Sequence, residues 1–208
     1  MYKSFLKRLL DLFISFIGII VLLCPTIVIA ILIKVDSKGP VFFTQKRLGK
    51  NKKQFTIFKF RTMCVNAYEN GGIATSESDI RITKIGKVLR RTSIDELPQL
   101  INIFLGHMSI IGPRPILDWE YDEYAKGEYE DRFLLRPGLF CTVDVIARNA
   151  ERDRQFFMDA EYCKNCTFVL DVQTLIRVIE PVLSGKGVYR DESEGDVNAL
   201  PFDTKTSR

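Results

Sequence analysis

A stretch of 22 residues without a charge, Leu12 to Ile33, constrains this chain more than any other feature. An apolar run of more than about 18 residues is a candidate membrane helix. A straight helix of this length would reach about 33 Å, close to the ~30 Å hydrocarbon core of a bilayer. The run is too long for a cleaved signal peptide, and no small-x-small cleavage site follows it. We therefore expect this segment to enter a membrane.

Proline and charge indicate how the segment enters. Pro25 lies inside the run and lacks a backbone donor, which predicts a kink. Basic residues, which prefer the cytoplasmic side, flank both ends: Lys3, Lys7 and Arg8 before, and Lys34, Lys38, Lys46 and Arg47 after. A bent helix that enters and leaves by one face places both basic flanks on the cytoplasmic side, whereas a straight crossing places only one of them there. Ordinary spanning helices also contain proline, so the residues alone leave both arrangements open.

The segment that follows, Lys34 to Arg61, contains nine basic residues and one acidic residue, a net charge of +8. Such a segment beside a membrane helix is typical of a patch that contacts anionic lipid head groups. Two β-rich stretches, 39–45 and 55–62, surround Gly49 and Asn51 and predict a β-hairpin. Lys59 and Arg61 are two residues apart on the second strand and would share a face, which predicts a rigid phosphate-binding pair.

The remainder of the chain reads as helices and loops. Helical spacing of apolar residues predicts helices at 83–91, 97–104 and 168–183, the last packed against the protein. The acid-rich segment 118–131 is interpreted as a solvated helix face, and 190–208 as a frayed polar tail. There is no Walker A or G-x-G-x-x-G motif, so the common nucleotide cradles are absent. The basic residues lie next to the membrane segment and no aromatic-basic motif appears, so we expect no nucleic-acid partner. Five irregularly spaced cysteines favour a reducing setting rather than a disulfide scaffold.

The densest chemistry lies in residues 89–98, where two adjacent carboxylates follow two adjacent arginines. One interpretation is structural, because Ser93 and Glu96 have the spacing of a capping box at a helix start. The other is catalytic. Asp95 is ionised at neutral pH and needs no base to attack phosphorus, and arginines together with a divalent metal would offset charge repulsion. Both interpretations are compatible at one site.

Two further arginines are held by proline. Arg114 lies between Pro113 and Pro115, and Arg136 begins an Arg-Pro-Gly turn. Each motif alone is weak, but together with the strand-borne cations and the carboxylate pair they indicate a polyanionic substrate at a membrane surface.

These residues resemble the bacterial sugar transferase family, the monotopic phosphoglycosyl transferases that begin glycan assembly on polyprenol phosphate. The resemblance covers about residues 5–187, and the Asp-Glu-Leu-Pro-Gln-Leu and Gly-Pro-Arg-Pro blocks are its most specific parts. The matching stretches are Lys7–Asp11 with the apolar run, Gly39–Gly49, Phe58–Met63, Arg81–Thr83, Leu89–Leu100 and Met108–Pro115.

The resemblance implies an α+β fold. A re-entrant membrane helix (1–36) would precede a catalytic domain (37–189) on the cytoplasmic face of the bacterial inner membrane. That domain would contain the hairpin and several amphipathic or interfacial helices, and a polar tail (190–208) would follow it.

The resemblance also implies chemistry. Asp95 would attack the β-phosphate of a UDP-sugar, release UMP and form a phosphosugar-enzyme, from which polyprenol phosphate takes the phosphosugar. Glu96 would be its partner and Mg²⁺ would be required. The implied site comprises Asp95, Glu96, Lys59 and Arg90 as catalytic residues, Arg61, Arg114, Arg136 and Arg148 as substrate-binding residues, and Asp95 and Asp159 as metal ligands.

The sequence departs from the family pattern at residues 139–147, after Arg-Pro-Gly, and Cys24 precedes Pro25 where serine is usual. The altered loop motivates an alternative, a membrane scaffold that keeps the fold without catalysis. The retained Asp95, Glu96 and Lys59 favour the enzyme. The identity of the sugar, the glycan pathway and the oligomeric state stay open, a homodimer included.

Overall fold

The structure contains both helices and strands, as the sequence predicts. It is a computed structural model that describes residues 2–67, 78–143 and 152–184. The α-helices are α1 (Lys7–Val21), α2 (Leu23–Asp36), α3 (Lys84–Arg91), α4 (Gln99–Phe104), α5 (Asp118–Glu120), α6 (Arg152–Asn165) and α7 (Phe168–Ser184). The strands are β1 (Phe42–Leu48), β2 (Gln54–Phe60), β3 (Ser109–Ile111) and β4 (Gly138–Phe140). Single turns of tighter or wider helix occupy Tyr2–Leu6, Lys50–Lys52, Ile94–Glu96, Tyr121–Ala125 and Glu130–Phe133.

The apolar segment is bent, as Pro25 predicts, but the break lies at Leu22. The helical stretches Tyr2–Val21 and Leu23–Asp36 meet at 59°. A proline lacks the N–H that would bond to the carbonyl four residues earlier, and its ring clashes with that carbonyl. For Pro25 this carbonyl belongs to Val21, the last residue of α1. Within the described residues no helix alone has the length and hydropathy of a membrane span, whereas the bent pair together does.

The first helix turns its polar side towards the protein. Lys7, Asp11 and Ser15 recur every four residues and are buried. The Asp11 carboxylate accepts hydrogen bonds from the Ser109 hydroxyl (3.1 Å) and the Ile110 N–H (2.9 Å) on β3. Apolar side chains cover the outside of α1, α2 and the turn before them: Phe5, Leu9, Phe13, Phe16, Ile20, Leu23, Ile27, Val28, Ile31 and Val35. An apolar surface of this extent marks an interaction site rather than ordinary solvent contact.

The C-terminal helix α7 forms as predicted, but its packing is reversed. Asp171, Thr174 and Val178 are buried, whereas the apolar side chains expected in the core are exposed: Val172, Leu175, Ile176 and Ile179. The cause is a buried polar cluster in which the Asp171 carboxylate accepts hydrogen bonds from Tyr2, Lys7 and Tyr162. A buried carboxylate requires such partners, so Asp171 fixes which side of α7 faces inwards.

The predicted hairpin is confirmed. β1 and β2 pair antiparallel, with Phe43 opposite Lys59, and Asn51 adopts a left-handed conformation (φ 55°) in the connecting turn. The fully buried Asn102 of α4 binds the other edge of β2: its amide donates to the Thr56 carbonyl (2.7 Å), and its side-chain oxygen accepts the Phe58 N–H (3.0 Å). Asn102 thereby joins α4 to the strand that carries Lys59.

The acid-rich segment 118–131 is not the continuous solvated helix that its charge predicts. It comprises α5, the wide turn Tyr121–Ala125 and the start of the tight turn Glu130–Phe133. Glu120 is 2% exposed and pairs with Arg152 (3.0 Å) and Arg47 (3.6 Å). Because arginines distant in sequence neutralise this carboxylate, local charge density alone could not show that it is buried.

The two proline-fixed arginine motifs lie against each other. Strands β3 and β4 pair in parallel, the Gly112 N–H donates to the Phe140 carbonyl (3.0 Å), and the Gly138 N–H donates to the Pro113 carbonyl (2.9 Å). A Cβ on Gly138 would lie 2.1 Å from the backbone nitrogen of Gly112, and one on Gly112 would lie 2.4 Å from the Arg136 carbonyl oxygen. Both glycines are therefore required for the backbones to approach.

Gly138→Ala is accordingly expected to destabilise the protein by at least about 3 kcal/mol, because backbone atoms must separate. For a chain of this size that corresponds to roughly 10 °C in the thermal unfolding midpoint in detergent. Gly127→Ala is the control. Gly127 has a positive φ of 90° but no atom within 4 Å of a Cβ, so only backbone strain of about 1 kcal/mol is expected. Equal losses of stability for the two variants would show that the close approach of Gly138 to Gly112 is not what requires glycine.

Candidate active site

The two adjacent carboxylates lie on a single tight turn, Ile94–Glu96, between α3 and α4. Ser93 precedes this turn in a left-handed conformation (φ 55°), and its side chain forms no capping hydrogen bond. The capping-box interpretation of Ser93 and Glu96 is therefore wrong. The left-handed residue lets the chain reverse between two short helices, and the Glu96 side chain is directed to another partner.

That partner is Lys59 on β2. Its ammonium donates to Oε1 of Glu96 at 2.6 Å, and both side chains are partly exposed. The sequence interval between the two residues is large, so the contact depends on α4 and β2 packing through Asn102. A cation and two carboxylates thus meet at a surface accessible to ligands.

Asp95 is electrostatically perturbed. Burial of its carboxylate raises its pKa from the ordinary 3.8 to about 6, and the negative charge of Glu96 acts in the same direction. The positive charges of Lys59 and Arg90 oppose this rise. A carboxylate that is less acidic than usual is a stronger nucleophile once ionised, and perturbed groups of this kind mark functional-site candidates.

Arg90 reaches the site from α3. Thr83 begins the helix by accepting the Gly86 N–H at its hydroxyl (3.0 Å), and Gly86 packs so closely on Thr62 that a Cβ would lie 2.1 Å from the Thr62 carbonyl oxygen. The Nε of Arg90 then donates to the Thr62 hydroxyl (2.9 Å). The end of the hairpin therefore positions this guanidinium.

Arg61 does not form the predicted phosphate-binding pair with Lys59. It lies just beyond the end of β2, is 5% exposed, and donates to three backbone carbonyls, those of Ser37 (2.9 Å), Lys38 (2.7 Å) and Pro40 (2.6 Å). Five donors in a rigid fork suit a turn with several carbonyls to satisfy. Its observed contacts join the end of α2 to the hairpin, and a contact with substrate stays a prediction.

The remaining predicted arginines are placed as follows. Arg114 is exposed on the loop after β3, and Arg136 is half-buried beside it, with its Nε donating to the Gly106 carbonyl at 2.7 Å. The interlocked glycines bring the two backbones together. Arg148 and the later part of the altered 139–147 loop lie outside the described residues.

Comparison with known proteins identifies the family. The family model described as bacterial sugar transferase matches residues 2–185. The chain belongs to the bacterial sugar transferase family. It is accordingly an enzyme of the sugar transferase class.

Three similar curated proteins carry functional names. An exopolysaccharide production protein of Rhizobium leguminosarum is 38% identical over 88% of this chain and 98% of its own length. A UDP-N-acetylgalactosamine-undecaprenyl-phosphate N-acetylgalactosaminephosphotransferase of Aeromonas hydrophila is 37% identical over 88% of this chain and 45% of its own length. A UDP-galactose-lipid carrier transferase of Erwinia amylovora is 35% identical over 90% and 42%. The chain thus spans less than half of the two relatives named for a donor.

The residues that could hold a divalent cation are Asp95 and Glu96. Mg²⁺ is commonly bound by one or two carboxylates together with substrate phosphates and water, so this pair fits such an ion. Residues 2–67, 78–143 and 152–184 contain no group of three or more metal-ligating side chains. Asp159, the other predicted ligand, is 1% exposed and forms an ion pair with Arg132 at 2.6 Å. Its carboxylate is committed to a structural partner.

Sequence reasoning missed two contributors to this region. Asn102 gave no signal, because a buried amide inside an apolar helix looks like an ordinary polar substitution. Arg132 directly follows the acid-rich segment and was not singled out, although it is 3% exposed and contacts both Asp159 and the Arg114 carbonyl. A lone cation following a run of acids was the available clue.

The raised pKa of Asp95 affects how the stability of the folded protein depends on pH. Because the folded state holds this proton more tightly than the unfolded chain, stability falls as pH rises from about 4 to about 6 and stays lower above. Asp95→Asn is therefore expected to stabilise the protein at pH 7.5 by about 1 kcal/mol after solvent screening, or about 3 °C. The gain should shrink as the pH falls below about 6 and should vanish only at about pH 3.5, where the carboxyl group is protonated in both states. Thermal unfolding at both pH values measures it, and destabilisation at pH 7.5 would contradict the assignment.

Proposed function

We propose that this enzyme transfers a sugar 1-phosphate from a UDP-sugar to undecaprenyl phosphate or a similar polyprenol phosphate, with release of UMP. The observation that carries the proposal is the cluster of Asp95, Glu96 and Lys59, in a member of a family whose relatives are named for this type of transfer. Arg90 lies near enough to act on the pKa of Asp95. Such a reaction would serve as the first membrane step of capsule, O-antigen, exopolysaccharide or glycoprotein assembly.

In the first step, an oxygen of the Asp95 carboxylate attacks the β-phosphorus of the donor. The bond from that phosphorus to the bridging oxygen breaks, and its electron pair leaves with UMP. Sugar 1-phosphate remains on Asp95 as an acyl phosphate. Lys59 and Arg90 offset the repulsion between the carboxylate and the diphosphate, and they stabilise the charge that develops on the leaving group.

In the second step, an oxygen of the polyprenol phosphate attacks the same phosphorus. The acyl-phosphate bond breaks, Asp95 is regenerated as a carboxylate, and the product is a polyprenyl diphosphate sugar. Glu96, held by Lys59 at 2.6 Å, is suited to accept a proton from the acceptor phosphate when that phosphate enters protonated.

Asp95 and Glu96 would hold Mg²⁺ together with the substrate phosphates. When bound, the ion neutralises part of the diphosphate charge. Such a site would need no third protein carboxylate, and Asp159 is buried against Arg132.

The surface of α1 supports a re-entrant arrangement in the bacterial inner membrane. A soluble protein would turn the polar side chains of such a helix outwards, whereas Lys7, Asp11 and Ser15 are buried and the apolar side is exposed. Lipid is a suitable environment for the exposed side. The 59° bend and the basic flanks favour entry and exit by the cytoplasmic face, where the catalytic domain would lie. The exposed apolar side of α7 would lie at the same interface, since Phe168 packs against Tyr2 (5.8 Å between ring centroids).

The test uses the full chain in lipid nanodiscs with Mg²⁺ and undecaprenyl phosphate. UMP release is measured with UDP-N-acetylgalactosamine, UDP-galactose, UDP-glucose and UDP-N-acetylglucosamine. We expect one or more donors to give UMP and a lipid-linked phosphosugar in equal amounts. A folded protein that releases no UMP from any donor would contradict the proposal and favour the scaffold alternative.

A further inference from the structure

A buried ion pair lies behind the exposed Arg114 loop. Nη2 of Arg132 lies 2.6 Å from Oδ2 of Asp159, and the two side chains are 3% and 1% exposed. The Arg132 guanidinium also stacks on the Phe156 ring, with its central carbon 4.2 Å from the ring centroid. Both side chains are therefore fixed in place by packing as well as by charge.

The same pair binds the peptide groups on both sides of the Arg114 α-carbon. Oδ2 of Asp159 accepts the Arg114 N–H at 3.1 Å, and Nη2 of Arg132 donates to the Arg114 carbonyl at 2.9 Å. Pro113 and Pro115 flank Arg114, so its N–H is the only amide donor in the segment from 113 to 115. One buried ion pair thus binds both the backbone N–H and the backbone carbonyl of Arg114, whose side chain is exposed.

Stability is a poor explanation for this arrangement. Burying a carboxylate and a guanidinium costs several kcal/mol per ion, and apolar replacements of similar volume are often as stable or more so. Nε and Nη1 of Arg132 and Oδ1 of Asp159 are buried without a hydrogen-bond partner in the described part of the chain, which adds to the cost. What apolar side chains could not supply is a donor and an acceptor for one particular backbone residue.

We propose that Arg132 and Asp159 are positioning residues. They fix the backbone of Arg114 so that its guanidinium is presented to the diphosphate of the nucleotide donor. The identity of the ligand rests on the proposed function. The two hydrogen bonds that hold the Arg114 backbone do not depend on that function. Preorganisation of this kind lowers the entropy lost when a flexible arginine orders on a phosphate.

The first test measures how firmly the Arg114 backbone is held when no ligand is bound. Replacing both ions at once, Arg132→Met with Asp159→Leu, leaves no unpaired buried charge and is the variant with the best prospect of folding. Hydrogen exchange of a peptide spanning 113–115 reports the single Arg114 amide. We expect exchange at least about tenfold faster than in the wild type. Unchanged exchange would overturn the proposal. If the paired variant does not fold, Arg132→Gln with Asp159→Val, which also leaves no buried charge and no acceptor at position 159 for the Arg114 N–H, is measured in its place.

The second test is a thermodynamic cycle with UDP as the probe, in nanodiscs with Mg²⁺. Arg114→Ala and the paired variant are each expected to raise the Kd for UDP by about tenfold, the scale of a charge-assisted hydrogen bond. Their combination should be no more than about twofold weaker than Arg114→Ala alone, because the pair acts only through Arg114. A roughly hundredfold loss in the combination, which is the additive result, would overturn the proposal.

The matched control is a second buried ion pair, Lys7 with Asp171, which joins α1 to α7, accepts a hydrogen bond from Tyr162 of α6 and has no hydrogen bond to Arg114. Lys7→Met with Asp171→Leu should leave both the Arg114 exchange rate and the Kd of the folded fraction unchanged. A change equal to that of the Arg132 and Asp159 variant would show a general packing effect and overturn the proposal. If the wild type neither binds UDP nor releases UMP, the proposed function fails, and the exchange experiment still decides whether the backbone is held.

Discussion

Asp95→Asn is expected to reduce UMP release by a factor on the order of 10⁴, the scale observed when a catalytic nucleophile is removed. The amide has the shape of the carboxylate but no charge with which to attack phosphorus. Because this substitution also removes a carboxylate whose burial raises its pKa, activity should be lost while the folded state becomes more stable at pH 7.5. The combination separates loss of chemistry from loss of folding.

Glu96→Gln is the matched control, since it changes the neighbouring carboxylate in the same way. It weakens the contact with Lys59 at 2.6 Å and should lower stability slightly, and it should slow turnover to a smaller extent than Asp95→Asn. UMP release is measured for both variants over one time course with the best donor. If Glu96→Gln abolished release and Asp95→Asn retained at least a tenth of it, the two roles would have been assigned to the wrong residues.

Lys59→Met is expected to reduce turnover by about 10² to 10³, because one cation that stabilises the diphosphate and the leaving UMP is removed. The substitution keeps the unbranched apolar stem, so the hairpin register with Phe43 opposite should persist. Loss of the Lys59 charge should also raise the pKa of Asp95 further, since Lys59 is the largest influence that lowers it. Steady-state rates at saturating donor measure the effect.

Lys59→Arg is its control. It keeps the positive charge in a larger planar group and should recover part of the lost rate, with a higher KM because the guanidinium cannot occupy the ammonium position beside Glu96. Equal rates for the methionine and arginine variants would show that the charge of Lys59 is not used. The stabilising contact with Glu96 would then be its only role.

The elements that follow from local pattern were predictable from the sequence. The hairpin follows from two β-rich stretches around Gly49 and Asn51, and the bend follows from Pro25. The predicted helices at 83–91, 97–104 and 168–183 all form, with ends shifted by up to two residues. These features depend on residues close in sequence.

The features that sequence reasoning missed depend on distant partners. Ser93 and Glu96 have a capping sequence, but Ser93 adopts a left-handed conformation and Glu96 pairs with Lys59 on the hairpin. Arg61 was predicted to share a strand face with Lys59, but its guanidinium donates to three backbone carbonyls just after α2. Asp171 reversed the expected packing of α7 through contacts with Tyr2 and Lys7. Periodicity carries no information about partners of this kind.

The proximity of Lys59 and Glu96 shows the same limit within the site. The family resemblance points to both residues. Each also had an interpretation from its own sequence neighbours, Lys59 in a pair with Arg61 and Glu96 in a capping box with Ser93. Only the packing of α4 on β2, through the buried Asn102, brings the ammonium within 2.6 Å of the carboxylate.

The most direct test of the central claim is a single-turnover experiment without a lipid acceptor. The full chain in detergent with Mg²⁺ is mixed with a donor labelled with ³²P in the β-phosphate, quenched, and separated from free nucleotide. We expect label on the peptide that contains Asp95. The label should be absent in Asp95→Asn and should be discharged when undecaprenyl phosphate is added before quenching. Rapid formation of lipid-linked product without protein-bound label at any time would contradict this expectation, because transfer would then be direct.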